Sequence, residues 1–231
     1  DAASNAEKDT KLAAKNAVKL FGSLMVTWGI ALGVRLLLPR YLGPQGFGVV
    51  NFADAFTSTL FVLAGFGIDT YIRKEVSVRY QHASEFYGGV TALRMLVALL
   101  LFGVTQAFLM LTNRPPETWL VVHLYGVSAL FFTFNQSLAA LLHARGTVNE
   151  LSFLNIASKI VWGGGTLLAV VMKWPLWTVA LAVVASEALK TVVSVRLVTK
   201  HLAMTWAVNV GATKLAVLGS LPMFVNLAAH T

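Results

Sequence analysis

Cysteine is absent from the 231-residue chain, and charged residues make up only 12% of it. Without cysteine there can be no disulfide framework, no thiol chemistry and no Cys-ligated zinc. A soluble domain carries about 25% charged residues, because its surface faces water. With so little charge and 57% hydrophobic residues, most of the outer surface of this protein must face lipid.

Catalytic and nucleotide-binding signatures are also missing. The five histidines are scattered without an HExxH pattern, the acids form no compact pair, and no GxxxxGK[ST] loop occurs. The sequence therefore predicts no enzyme, no catalytic residue, no metal site and no cofactor. The net charge of +8 does not indicate nucleic acid as a partner, because no segment is long enough to form a water-exposed basic domain.

Long hydrophobic runs dominate what is present. A helix needs roughly 20 apolar residues to cross a bilayer. Six segments meet this length, and they are Leu20–Leu38, Phe47–Ile68, Gly88–Leu111, Trp119–Leu142, Leu151–Met172 and Leu176–Val198. The runs lack the alternation of a membrane β-barrel, so the sequence predicts an all-α polytopic membrane protein.

The predicted organisation has four parts. A cytoplasmic tail (1–19) precedes a six-helix transmembrane lobe (20–198), a cytoplasmic linker (199–214) and a seventh span (215–231). The chain starts at Asp1 without a methionine and stops where a second lobe would begin. We expect it to be half of a two-lobe transporter, with the seventh span opening a truncated second lobe.

The orientation follows from the distribution of Lys and Arg, which accumulate on the cytoplasmic side of a membrane. With the N-terminus inside, eleven cations fall in inside segments, and only Arg40, Arg114 and Lys173 fall in outside turns. The sequence therefore predicts a cytoplasmic N-terminus.

Charged residues within a span are costly, so each one suggests a function. Arg35 and Asp54 lie near the outer ends of spans one and two, where an ion pair across the tight turn is expected. This ion pair either only stabilises the two helices or takes part in the function of the protein. Glu187 is the deepest charge and shares a helix face with Lys190, so it either belongs to a structural pair or lines a cavity as an ion-coupling acid.

Arg94 and Lys159 each lie about two turns in from the cytoplasmic side, and each heads a polar stripe on its span. They either extend their charges to the interface or, with Arg35, form a basic cavity for an anionic head group. Span four adds polar residues, which are Ser128, Asn135 and Gln136. In span five, Gly163, Gly164 and Gly165 indicate close helix packing or a hinge.

The first outside turn carries a resemblance to a known family. Residues 35–48 read RLLLPRYLGPQGFG, and around them stand Lys15-Asn16, Asn51-Phe52-Ala53, Gly65-Phe66-Gly67-Ile68-Asp69 and Tyr71-Ile72-Arg73-Lys74-Glu75-Val76. This order resembles the polysaccharide-biosynthesis (Wzx-like) flippases of the multidrug/oligosaccharidyl-lipid/polysaccharide exporter superfamily. The stretch RYLGPxGFG is its most specific part.

The resemblance implies two six-helix lobes around a central cavity in the cytoplasmic (inner) membrane of a bacterium or archaeon. It implies transport of an undecaprenyl-pyrophosphate-linked oligosaccharide to the outer leaflet for cell-surface polysaccharide synthesis, with glycan polymerase and export machinery as partners. The cavity residues are proposed from depth and polarity: Arg35, Arg94 and Lys159 for the substrate, and Glu187 and Asp54 for ion coupling. The alternatives are a cation-coupled multidrug exporter, a membrane enzyme of glycan assembly and a scaffold for it.

Overall fold

In the computed structural model, which describes residues 2–65, 86–144, 146–202 and 209–229, every element is helical. Helix α1 covers Ala2–Phe61 and is followed by a 3-10 turn at Val62–Ala64. A π-helical turn at Phe86–Val90 leads into α2 at Thr91–Leu111. The remaining helices are α3 (Pro116–Ala144), α4 (Val148–Val171), α5 (Trp177–Leu202) and α6 (Val210–Ala229). The predicted all-α architecture is confirmed.

Helix α1 consists of two arms that meet at Gly43. This residue has φ 68° and ψ 175°, a backbone conformation that is essentially restricted to glycine. Pro44 follows at the start of the second arm, where a helix does not need the missing N–H. On one straight helix Arg35 and Asp54 would lie about 28 Å apart. Their side chains instead come within 3.8 Å, so the arms run antiparallel, as predicted for spans one and two.

Five helical segments of the described chain are long and apolar enough to cross a membrane, and they are Phe21–Ala64, Gly88–Leu111, Pro116–His143, Asn149–Val171 and Trp177–Lys200. The first of them contains the Gly43 turn and therefore supplies two crossings. The chain is thus a multi-pass membrane protein, and its described residues supply six crossings where the sequence predicts them. Helix α6 forms where the seventh span is predicted.

At the two ends of the lobe, helices cover part of the predicted tail and part of the predicted linker. Helix α1 begins at Ala2, so it includes most of the predicted tail. Helix α5 extends to Leu202 and α6 begins at Val210, and residues 203–208 of the predicted linker lie outside the described residues. Residues 66–85, whose cations contribute to the predicted orientation, lie outside the described residues.

Helix α3 is the centre of the bundle. It packs against α1, α2 and α5, while α4 packs against α1 and α5. One apolar cluster joins both arms of α1 to α3, α4 and α5, through residues that include Val34, Ala53, Val121, Ala169 and Ala180. A second cluster joins the other ends of α3 and α5 to the π-helical turn and α6. These contacts bring five helical segments, which are both arms of α1 and helices α3, α4 and α5, around one polar crevice.

Candidate substrate cavity

A cavity of about 160 Å³ lies between both arms of α1 and helices α3, α4 and α5. Four charged side chains line it: Arg35 from the first arm, Asp54 from the second, Lys159 from α4 and Glu187 from α5. Each charge alone would be costly at membrane depth, and gathering them in one crevice reduces that cost. The polar wall is completed by Asn51, Tyr125, Ser158 and Ser186.

The predicted ion pair between Arg35 and Asp54 is present. Nη2 of Arg35 lies 3.8 Å from Oδ2 of Asp54, which is long for a charge-assisted hydrogen bond. The two side chains are 71% and 52% exposed, so the pair lies on the open side of the cavity. An exposed pair of this length holds its partners weakly.

Glu187 is held in a different way, by a buried amide from α3. Asn135 is 1% exposed, and its Nδ2 donates to Oε2 of Glu187 at 2.8 Å and to the Glu187 carbonyl oxygen at 3.0 Å. The Thr191 hydroxyl lies 2.9 Å from both Oδ1 of Asn135 and the Glu187 carbonyl oxygen. Within the described residues, the carboxylate is therefore bonded to Asn135 rather than to Lys190. This network fixes the orientation of the acid.

Lys159 is positioned by an aromatic ring of its own helix. Its Nζ lies 4.6 Å from the centroid of the Trp162 ring, within the range of a cation–π interaction. Both residues line the cavity. The ring holds the ammonium group without neutralising it, so the cation remains able to attract an anion.

Arg94 lies elsewhere. It is 3% exposed and does not line the cavity. Its Nε donates to the carbonyl oxygen of Ala64 at 3.2 Å, and its Nη1 donates to Oγ of Ser137 at 3.1 Å. It therefore ties the end of the first hairpin to α2 and α3. Of the five predicted site residues, the structure brings four together and separates this one from them.

Three residues at the site had no predicted role there. Tyr125 and Trp162 line the cavity, but an aromatic residue within a span gives no sign of which way it faces. Asn135 did carry a signal, because an amide in the middle of a span requires a partner, and it belongs to the polar stripe of span four. Its partner became clear only from the packing of α3 against α5.

The chain was compared with known proteins at the level of families, sequences and structures. Residues 13–231 match the model of a family described as polysaccharide biosynthesis protein. The match includes both arms of α1 and every helix that lines the cavity. No curated protein and no solved structure matches the chain.

Proposed function

The chain belongs to the polysaccharide biosynthesis protein family, and from this premise we propose that it moves a lipid-linked oligosaccharide from the cytoplasmic to the outer leaflet. The observation that carries the proposal is the cavity, in which charged side chains from four helical segments meet within the membrane-spanning bundle. Such a crevice suits a polar head group that must cross the bilayer.

The anchor of the proposed substrate is a polyprenyl pyrophosphate, and the cavity offers two cations for it. The guanidinium of Arg35 can donate two parallel hydrogen bonds to phosphate oxygens, while Lys159 acts as a point charge. Asp54 and Glu187 line the same cavity, so its formal charge is balanced when no substrate is present. The acids are the proposed sites for a coupling cation.

The proposed setting is the cytoplasmic membrane of a bacterium or archaeon, with the N-terminus inside. The excess of Lys and Arg in the segments assigned to the inside supports this orientation. The exposure of Arg35 and Asp54 means that the cavity opens on one side of the six-helix lobe. We propose that the lobe forms one wall of an alternating-access path.

The test is the leaflet distribution of lipid-linked sugar in membrane vesicles with and without the protein. We expect the sugar to remain in the cytoplasmic leaflet when the protein is absent. Arg35→Gln and Lys159→Gln should reproduce that defect at normal protein levels. Lys190→Gln is the matched control, since it removes a cation from α5 that does not line the cavity, and it should leave export intact. Unchanged leaflet accessibility in a clean deletion would reject the proposal.

A cation-coupled drug exporter is the second candidate. The presence of both Asp54 and Glu187 in the cavity favours it, because two acids suit the binding of a cation or a proton. A deletion strain distinguishes the two functions: new sensitivity to cationic drugs with normal polysaccharide indicates an exporter. Lost polysaccharide with unchanged sensitivity indicates the sugar-lipid transporter.

A further inference from the structure

The two acids of the cavity are held in opposite ways. Glu187 is bonded through Oε2 to Asn135, a buried amide that keeps it against α3. Asp54 has Arg35 as its ionic partner in the described part of the chain, through one carboxylate oxygen at 3.8 Å. Glu187 is therefore fixed in the wall of the cavity, whereas Asp54 is paired only with a cation, Arg35, on the open side of the cavity within the described residues.

We propose that the Asp54 carboxylate occupies the position of a substrate phosphate on Arg35 and competes with it. Carboxylate and phosphate oxygens both accept hydrogen bonds from a guanidinium, so the same N–H groups serve either anion. At 3.8 Å the contact is longer than a charge-assisted hydrogen bond, so an anion with more charge and more oxygens can replace it. This inference rests on the proposed function for the identity of the anion, a pyrophosphate.

Competition between Asp54 and the substrate for Arg35 explains why an acid lies next to an arginine that binds an anion. An empty cavity with Arg35 unpaired would leave a cation uncompensated within the bilayer, which is unfavourable. Asp54 neutralises it in the empty state, and it returns to Arg35 when the substrate leaves. The same contact lowers the affinity for the substrate, because binding requires that the internal pair be open.

The experiment measures binding of two probes to the purified chain in detergent at fixed ionic strength, by isothermal titration calorimetry. Inorganic pyrophosphate tests the anion site alone, and farnesyl pyrophosphate adds a short prenyl tail. If the internal pair is formed about nine-tenths of the time, Asp54→Asn should tighten binding of pyrophosphate about tenfold. Asp54→Ser gives the same test if the asparagine variant is not recovered folded.

Glu187→Gln is the matched control. It removes one negative charge from the same cavity, but from an acid that Asn135 holds rather than Arg35. We expect a clearly smaller gain from it than from Asp54→Asn. The gain of the Asp54 variant should also disappear in the double variant with Arg35→Gln, because the arginine is the shared ligand.

The outcomes separate this inference from the proposed function. If both single variants bind pyrophosphate more tightly by the same factor, the gain comes from the lost negative charge in general, and the competition is overturned. An unchanged affinity in Asp54→Asn would overturn it as well. So would a failure of every variant to bind pyrophosphate. A tenfold gain for both probes, with farnesyl pyrophosphate bound more tightly, supports both proposals. The same gain without any preference for the prenyl probe supports the competition and counts against a lipid-linked substrate.

Discussion

At the residue scale, burial separates two arginines that look alike in the sequence. Arg35 is exposed on the open side of the cavity and meets one acid at 3.8 Å. Arg94 is 3% exposed and donates to a backbone carbonyl and a hydroxyl. The first is available to a ligand. The second satisfies polar groups of its own protein, and the two therefore respond differently to substitution.

We predict that Arg94→Ala destabilises the protein more than Arg35→Gln does. Removal of the buried guanidinium leaves a void and takes hydrogen bonds from Ala64 and Ser137, at a cost of about 3 kcal/mol. Loss of an exposed ion pair costs about 1 kcal/mol at most. Thermal unfolding in detergent measures both effects. An Arg94→Ala protein that is as stable as the wild type but inactive in transport would instead support the predicted role of Arg94 in substrate binding.

At the scale of elements, the three glycines of α4 have different surroundings. A methyl group on Gly163 would lie 2.9 Å from Cγ2 of Ile30, which belongs to the first arm of α1. One on Gly165 would lie 3.0 Å from Cβ of Ala182 in α5. One on Gly164 would meet nothing within 4 Å. The first and third glycines therefore allow close packing of α4 on two neighbours, and the middle one does not contribute to it.

Alanine substitutions distinguish packing from a hinge. Gly163→Ala should lower the stability of the protein by about 1 kcal/mol, because the added methyl collides with a stiff β-branched side chain. Gly164→Ala is the matched control and should be neutral or stabilising by up to about 1 kcal/mol, since alanine favours the helix. Unfolding in detergent gives both values. A Gly164→Ala protein that is stable but no longer transports would instead indicate a hinge at this position.

At the scale of the whole molecule, the cavity depends on how the crossings are arranged. Its charged residues come from both arms of α1, from α4 and from α5. Helix α3 packs against α1 and α5 and also lines the cavity. The turn after α2 and the turn before α5 lie at one end of the bundle, and the connection between α3 and α4 lies at the other. The direction of the proposed transport therefore depends on which end faces the cytoplasm.

Single-cysteine labelling tests the orientation, and the absence of cysteine from these 231 residues gives the labelling a clean background. Glu117→Cys and Asn149→Cys place exposed thiols at opposite ends of the bundle. In intact cells, a membrane-impermeant maleimide should label the first variant and should reach the second only after permeabilisation. The reverse pattern would place the N-terminus outside and reverse the proposed direction of transport.

Much of the fold could be predicted, because crossings depend on length and apolar content alone. Gly43 and Pro44 mark the first turn by their backbone requirements, and the Arg35–Asp54 pair follows from two arms that meet there. The family resemblance rested on the same turn, and the match over residues 13–231 confirms it. Orientation remains a prediction from the distribution of Lys and Arg.

The sequence by itself determined how far along its helix each charged residue lies, because this distance depends only on the number of residues from the end of the helix. Only the tertiary structure decided which of these residues face one another. The helices are apolar on nearly all sides, so their composition says little about rotation around their axes, and rotation is set by packing. For this reason Lys159 and Glu187 line the same cavity while Arg94, predicted at a similar depth to Lys159, is enclosed between α2, α3 and the end of the first hairpin.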